Sequence, residues 1–159
     1  MADLLKLNLG SGKNPIPGYI NVDKFGVPDV LHDLEKFPWP WETSSVGEVV
    51  LRHVLEHLGE TTAIYFGIIK ELYRVCAPGA RISIAVPHPR HNYFLNDPTH
   101  VRIVTPEGMQ LFSKAMNAAW AKRGLPHRRW VCISTWISKS RTSATSLMNL
   151  GPPSMPRNS

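Results

Sequence analysis

Short apolar runs alternate with turn residues and one longer amphipathic stretch along this chain. Leu4-Leu5-Lys6-Leu7-Asn8-Leu9 is mostly apolar and stops at Gly10-Ser11-Gly12, the pattern of a buried strand entering a tight glycine turn. Tyr19-Ile20-Asn21-Val22-Asp23 and Asp29-Val30-Leu31-His32-Asp33-Leu34 predict two further strands, with acids at their ends. Glu48-Val49-Val50-Leu51 predicts a fourth, running into a helical Val54-Leu55-Glu56-His57-Leu58. From Thr62 to Val75 the apolar residues Ile64, Ile68, Leu72 and Val75 step by four, four and three, which keeps them on one face of a helix. Pro78-Gly79 ends that helix, and Arg81-Ile82-Ser83-Ile84-Ala85-Val86 alternates as a fifth strand until Pro87. Thr105-Pro106-Glu107 has the cap, first-turn proline and early acid of a helix start, predicting a helix to about Gly124.

Strands alternating with helices, joined by connections mostly too long for hairpins, predict an α/β domain with a Rossmann-like, mostly parallel sheet flanked by helices. Ligands of such sheets bind beyond the carboxyl ends of the strands, which is where Gly10-Ser11-Gly12, Asp23, Asp33 and Arg52-His53 fall. Gly10 and Gly12 permit positive φ and a close approach of backbone to a nucleotide-like ligand, although a plain turn needs the same residues. A dinucleotide fingerprint requires a third glycine where this chain has Pro15, so NAD is disfavoured. Asp23, at the end of the second strand, suits a ribose diol, because a carboxylate accepts two hydrogen bonds and repels phosphate.

The segments Leu7 to Gly12, Tyr19 to Asp23, His32 to Leu34, His53-Val54-Leu55-Glu56-His57 and Glu71-Leu72-Tyr73-Arg74-Val75-Cys76-Ala77-Pro78-Gly79-Ala80 occur in that order. Together they resemble class I S-adenosylmethionine-dependent methyltransferases, above all a small type 11-like subgroup, over about residues 4 to 125. The resemblance implies that Gly10, Ser11 and Gly12 hold the methionine end of S-adenosylmethionine, Asp23 the ribose hydroxyls, and Asp33 with Leu34 the adenine. It places His53 near the transferred methyl. Leu55 and Leu58 are expected in the core, with Glu56 and His57 as partly solvated polar groups outside the chemistry.

A sulfonium activates its own methyl group, so such an enzyme chiefly aligns a nucleophile and excludes water, with a histidine as the usual base for a hydroxyl or amine. The segment from Pro87 to Arg102 follows the fifth strand on the ligand side, and His88 and His100 are its catalytic candidates. Two other readings apply to it: polar groups bracing a long loop, or a zinc or iron site. The metal reading is set aside, because the spacings of His88, His91 and His100 match no recognised motif. Phe37-Pro38-Trp39-Pro40-Trp41 either covers the adenine or closes an edge of the core. Only ten residues separate Gly12 from Asp23, Pro15 and Pro17 among them, so a loop must replace the helix usual there.

With 159 residues and 43% hydrophobic content, the chain has material for one core. No apolar run reaches membrane-spanning length and no leader pattern precedes the first strand, so a cytoplasmic protein without a membrane partner is expected. Cys76 and Cys132, far apart and outside any CxxC, exclude a disulfide scaffold and a four-cysteine zinc site.

The net charge of +6 is unevenly spread. Residues 1–107 carry 12 acids and 10 bases, whereas residues 108–159 carry 8 bases and no acid. The surplus lacks the basic and aromatic interleaving of a stacking platform, so nucleic acid is not the expected partner. Residues 126–159 are expected to be a basic, largely disordered tail that leaves the C-terminal strands incomplete and resembles no family ending, as a replaced or out-of-frame terminus would. Trp130 to Ile133 and Trp136-Ile137 are candidates for one edge strand. The leading expectation is a methyltransferase acting on an unidentified acceptor. The alternative is a non-catalytic, methyltransferase-like binding module with a truncated sheet.

Overall fold

A computed structural model describes residues 3–113, 119–123 and 141–144. Five parallel strands form the sheet: β1 (Leu5–Leu9), β2 (Ile20–Asp23), β3 (Val30–Leu31), β4 (Val46–Arg52) and β5 (Cys76–Ala85). Their spatial order is β3-β2-β1-β4-β5, and β6 (Arg141–Ala144) adds in parallel outside β5. This is an α/β Rossmann-like sheet, and its strand order reverses between β1 and β4, the switch point beside which ligands of such folds bind. The strands tally with the apolar runs, except that the third shrinks to two residues at the sheet edge and the fifth begins directly after the preceding helix.

That helix, α1 (Thr62–Val75), has the predicted bounds. Thr61 caps it through a side chain that accepts from the Ile64 amide, and Ile68, Ile69, Leu72 and Val75 are fully buried against the sheet. They join Leu7, Leu9, Val22, Val49, Leu51 and Ile82 in one core. Trp39 and Trp41 are also in it, so the aromatic loop closes a core edge rather than lying open over a ligand. Trp39 donates its indole N–H to the Leu34 carbonyl at 3.0 Å.

Two helical expectations are corrected. The stretch after β4 is a single 3-10 turn, Leu55–His57. The loop after β5 carries a short helix, α2 (Asn92–Leu95), and the helix begun at Thr105, α3 (Pro106–Gln110), has the predicted cap, with the hydroxyl accepting from the Gly108 amide at 3.0 Å, but ends at Gln110 instead of near Gly124. Leu111, Phe112 and Ser113 donate three residues back, a tight closure that packs Met109 and Phe112 around Tyr65. Residues 119–122 are helical again. Of the stretch expected to be largely disordered, residues 141–144 are described and form β6, whereas the edge-strand candidates at Trp130 to Ile137 lie outside the described residues.

The helix missing between β1 and β2 is replaced by a polar brace. The buried Asn8 amide donates to Asn21 Oδ1 at 2.9 Å and to the Asn14 carbonyl at 3.1 Å. Asn21 in turn accepts from the Ile16 amide and donates to Asp29. The two asparagines supply the hydrogen bonds that a helix over the sheet would otherwise make redundant, and they fix the loop from Gly10 to Tyr19.

Candidate functional site

The carboxyl edge of the sheet collects the residues singled out from the sequence. Going across it, Asp33 follows β3, Asp23 ends β2, Gly10-Ser11-Gly12 follows β1, His53 follows β4, and His88 follows β5. Gly10 sits at φ +69, and a Cβ there would lie 2.3 Å from Val54 Cγ2, so the close packing of the β1 turn on the segment after β4 requires glycine. Gly12, at φ +51, has open space beside its Cα.

The amides of this turn are already engaged. Gly10 and Ser11 both donate to the Val22 carbonyl, at 2.8 and 3.0 Å, and Gly12 donates to Asp23 Oδ2 at 2.8 Å. Asp23 Oδ1 accepts from the Phe25 amide at 3.0 Å. A carboxylate has about four acceptor positions, so two remain for a diol. The Ser11 carbonyl accepts from the Asn14 amide at 2.8 Å, so the turn offers a ligand open space at Gly12 rather than an anion-binding ring of amides. Asp33 caps the Glu35 amide at 3.0 Å, and the Leu34 side chain is buried, which leaves only its backbone for an adenine contact.

His53 has φ +54, an uncommon conformation for a residue with a side chain. Its amide donates to the Ala85 carbonyl at 2.8 Å, tying β4 to β5, while its ring is more than half exposed. His53 Nδ1 lies 3.4 Å from Glu56 Oε1. Glu56 is the principal correction to the sequence expectation. It is fully buried, not partly solvated, and neither carboxylate oxygen has a hydrogen-bond partner. Leu55 and Glu56, successive residues of the 3-10 turn, are both buried, so the segment after β4 is enclosed on more than one side. Leu55 and Leu58 are in the core and His57 is half-buried, as expected.

The loop after β5 folds back onto this turn. The Val101 and Arg102 amides donate to the Glu56 carbonyl, and the Arg102 guanidinium donates to the Gly59 carbonyl while lying 4.2 Å from the centre of the Tyr65 ring. His100 is thereby carried to His57, with ring centres 4.6 Å apart, and it stacks on Phe94 with centres 4.9 Å apart. His100 Nδ1 donates to the Phe94 carbonyl at 2.9 Å, and the ring is almost buried. Asp97 Oδ1 takes the Thr99 hydroxyl proton at 2.6 Å as well as the Thr99 amide at 2.9 Å. These two bonds hold the Asp97 carboxyl below its usual range.

The catalytic candidates separate. His100 joins Glu56 and His57, with one possible ligand atom from each of the three within 4.8 Å of the others. His88 is exposed, accepts from the Arg90 amide at 3.2 Å and lies outside that group. Sequence reasoning missed Glu56 and His57 as site residues, and the available signal was a Glu-His pair directly after the fourth strand at the ligand edge.

Fold and site together define a Rossmann-like α/β protein with polar and titratable side chains gathered at its strand ends. Comparison with known families, curated proteins and solved structures gives no match for this chain. Among the described residues no helix is long and apolar enough to cross a membrane.

Proposed function

We propose that the chain is a methyltransferase that uses S-adenosylmethionine and acts in the cytoplasm on an acceptor whose nucleophile is a hydroxyl or amine. The observation that carries this reading is the order of groups across the sheet: Asp33, Asp23, the Gly10 turn and His53 occupy neighbouring strand ends β3, β2, β1 and β4. An extended ligand along that edge meets an acid suited to a base, an acid suited to a diol, a glycine turn, and then histidines. Adenine, ribose and the methionine sulfonium follow one another in the same order. The cofactor, when bound, supplies a methyl group already activated by the sulfonium.

The chain's own part is binding and proton handling. Asp23 retains two acceptor positions for a diol, and the open space beside Gly12 leaves room for the methionine end of the cofactor. His100, with Nδ1–H fixed on the Phe94 carbonyl, keeps Nε2 as its acceptor nitrogen in the neutral ring, the form a general base requires. His88, exposed at the start of the same loop, is the second candidate base.

Calorimetry of the full chain with S-adenosylmethionine and S-adenosylhomocysteine tests the reading. Heat of binding with both is expected, and no heat with either on folded protein rejects it. Asp23→Ala is expected to weaken binding more than about tenfold, since hydrogen bonds to a charged group are worth about 1.5–3 kcal/mol. Unchanged affinity in that variant removes the ribose role of Asp23.

A further inference from the structure

Glu56 poses a problem that methyl transfer does not solve. A carboxylate removed from water without a hydrogen bond is costly, and native proteins retain one where it is paired or ligates a cation. The nearest groups are histidines: His53 Nδ1 at 3.4 Å from one oxygen, and the nearby nitrogens of His57 and His100.

The tautomers of the two clustered histidines are set by their outer partners. His100 Nδ1 must donate, because its partner is the Phe94 carbonyl. His57 Nδ1 lies 3.0 Å from the Thr99 hydroxyl and 3.3 Å from the Thr99 carbonyl. The hydroxyl proton goes to Asp97, so His57 Nδ1 is the donor there as well. Both rings therefore carry their lone pair on Nε2. A ring N–H fixed on a carbonyl or hydroxyl, leaving the opposite nitrogen as the acceptor, is the usual arrangement behind a metal-bound histidine.

We propose that Glu56, His57 and His100 form a binding site for a divalent transition metal of the Zn2+ or Fe2+ type. Two imidazoles and one carboxylate form a mixed nitrogen and oxygen set that suits such ions better than Mg2+ or Ca2+. Ligand atoms around one tetrahedral ion at about 2.0–2.2 Å are about 3.4 Å apart. The present spacing of up to 4.8 Å exceeds that by up to about 1.4 Å, a difference that side-chain rotation on binding would close. Asp97 Oδ2, 3.7 Å from His100 Nε2, lies beside the site. Three protein ligands leave coordination positions open, as in sites that act on an oxygen-bearing ligand rather than merely stapling a fold. The proposal does not depend on the methyltransferase reading, because its test uses the metal alone; a metal held by His100 would occupy the lone pair that a base needs and leave His88 as the base of that reading.

Untagged full-length protein, stripped with a chelator, is titrated with Co2+ while visible absorption is recorded, and with Zn2+ by calorimetry and thermal melting. One ion per chain, intense d–d bands and a Zn2+-dependent rise in melting temperature are expected. Glu56→Gln and His100→Asn are each expected to weaken binding about tenfold to a hundredfold or more, and His91→Asn, which keeps the cap of the following helix, to leave it unchanged. The proposal is overturned if folded wild-type protein gives neither Co2+ bands nor a Zn2+-dependent shift. It is equally overturned if binding survives in both cluster variants or is lost in His91→Asn.

Discussion

Glu71 ties the aromatic loop to α1, and replacing it with glutamine measures that tie. Its Oε1 accepts from Arg74 Nε at 2.9 Å, and its Oε2 accepts from Arg74 Nη2 at 2.6 Å and from the Trp39 amide at 2.7 Å. Arg74 also donates to the Trp41 and Trp39 carbonyls at 2.7 and 3.0 Å, so the pair clamps both buried tryptophans. Glutamine keeps one acceptor oxygen and turns an NH2 group toward a donor. Each hydrogen bond to a charged group is worth about 1.5–3 kcal/mol, and breaking a fully buried pair costs about 3–5 kcal/mol. Glu71 is 12% exposed and Arg74 29%, so solvent screens part of that, and Glu71→Gln is expected to cost about 2 kcal/mol. For a chain of this size that lowers the melting temperature by about 4–8 °C. Urea unfolding followed by tryptophan fluorescence reads the change.

The arginine partner holds the Glu71 carboxyl below its ordinary value of 4.5. A depressed folded-state value stabilises the protein above the unfolded value, and the contribution is lost as pH falls through the folded one. The gap between wild type and Glu71→Gln should therefore be full at neutral pH and close below about pH 4.5. A cost under about 0.5 kcal/mol, or a gap that does not narrow in acid, would refute the clamp.

Gly10→Ala is expected to cost about 2–5 kcal/mol in urea unfolding, from left-handed strain plus overlap with Val54, whereas Gly12→Ala should cost only the strain of about 1–2 kcal/mol. Equal costs would mean that the β1 turn is not packed on the segment after β4. Burial pushes the Cys76 thiol up to about 12, so in a Cys132→Ser background Cys76 should react with a disulfide reagent at pH 8 roughly a thousandfold more slowly than an exposed thiol. Rapid labelling of the native protein would contradict that burial.

What could be read from the chain was whatever depends on near neighbours. The four-four-three spacing of Ile64, Ile68, Leu72 and Val75 fixed α1, and apolar runs ended by glycine or acid marked the strands and located Gly10, Asp23, Asp33 and His53 at one edge. The threonine and proline at positions 105 and 106 marked where α3 begins but not where it ends, because its closing turn is set by Met109 and Phe112 packing at Tyr65. Asn8 and Asn21 looked like ordinary strand residues until β1 and β2 paired and brought them within a hydrogen bond.

The Glu56 cluster was least legible. Glu56 is buried because the segments packed around the short turn at Leu55–His57 enclose it, and the five letters from Val54 to Leu58 do not record those neighbours. His57 and His100 are 43 positions apart, and only the return of the loop after β5, held by the Glu56 carbonyl and by Arg102, sets their rings against each other. Periodicity records the direction of a side chain relative to its own backbone. The meeting of two such directions depends on how the loop is tied down, which takes groups distant in the sequence.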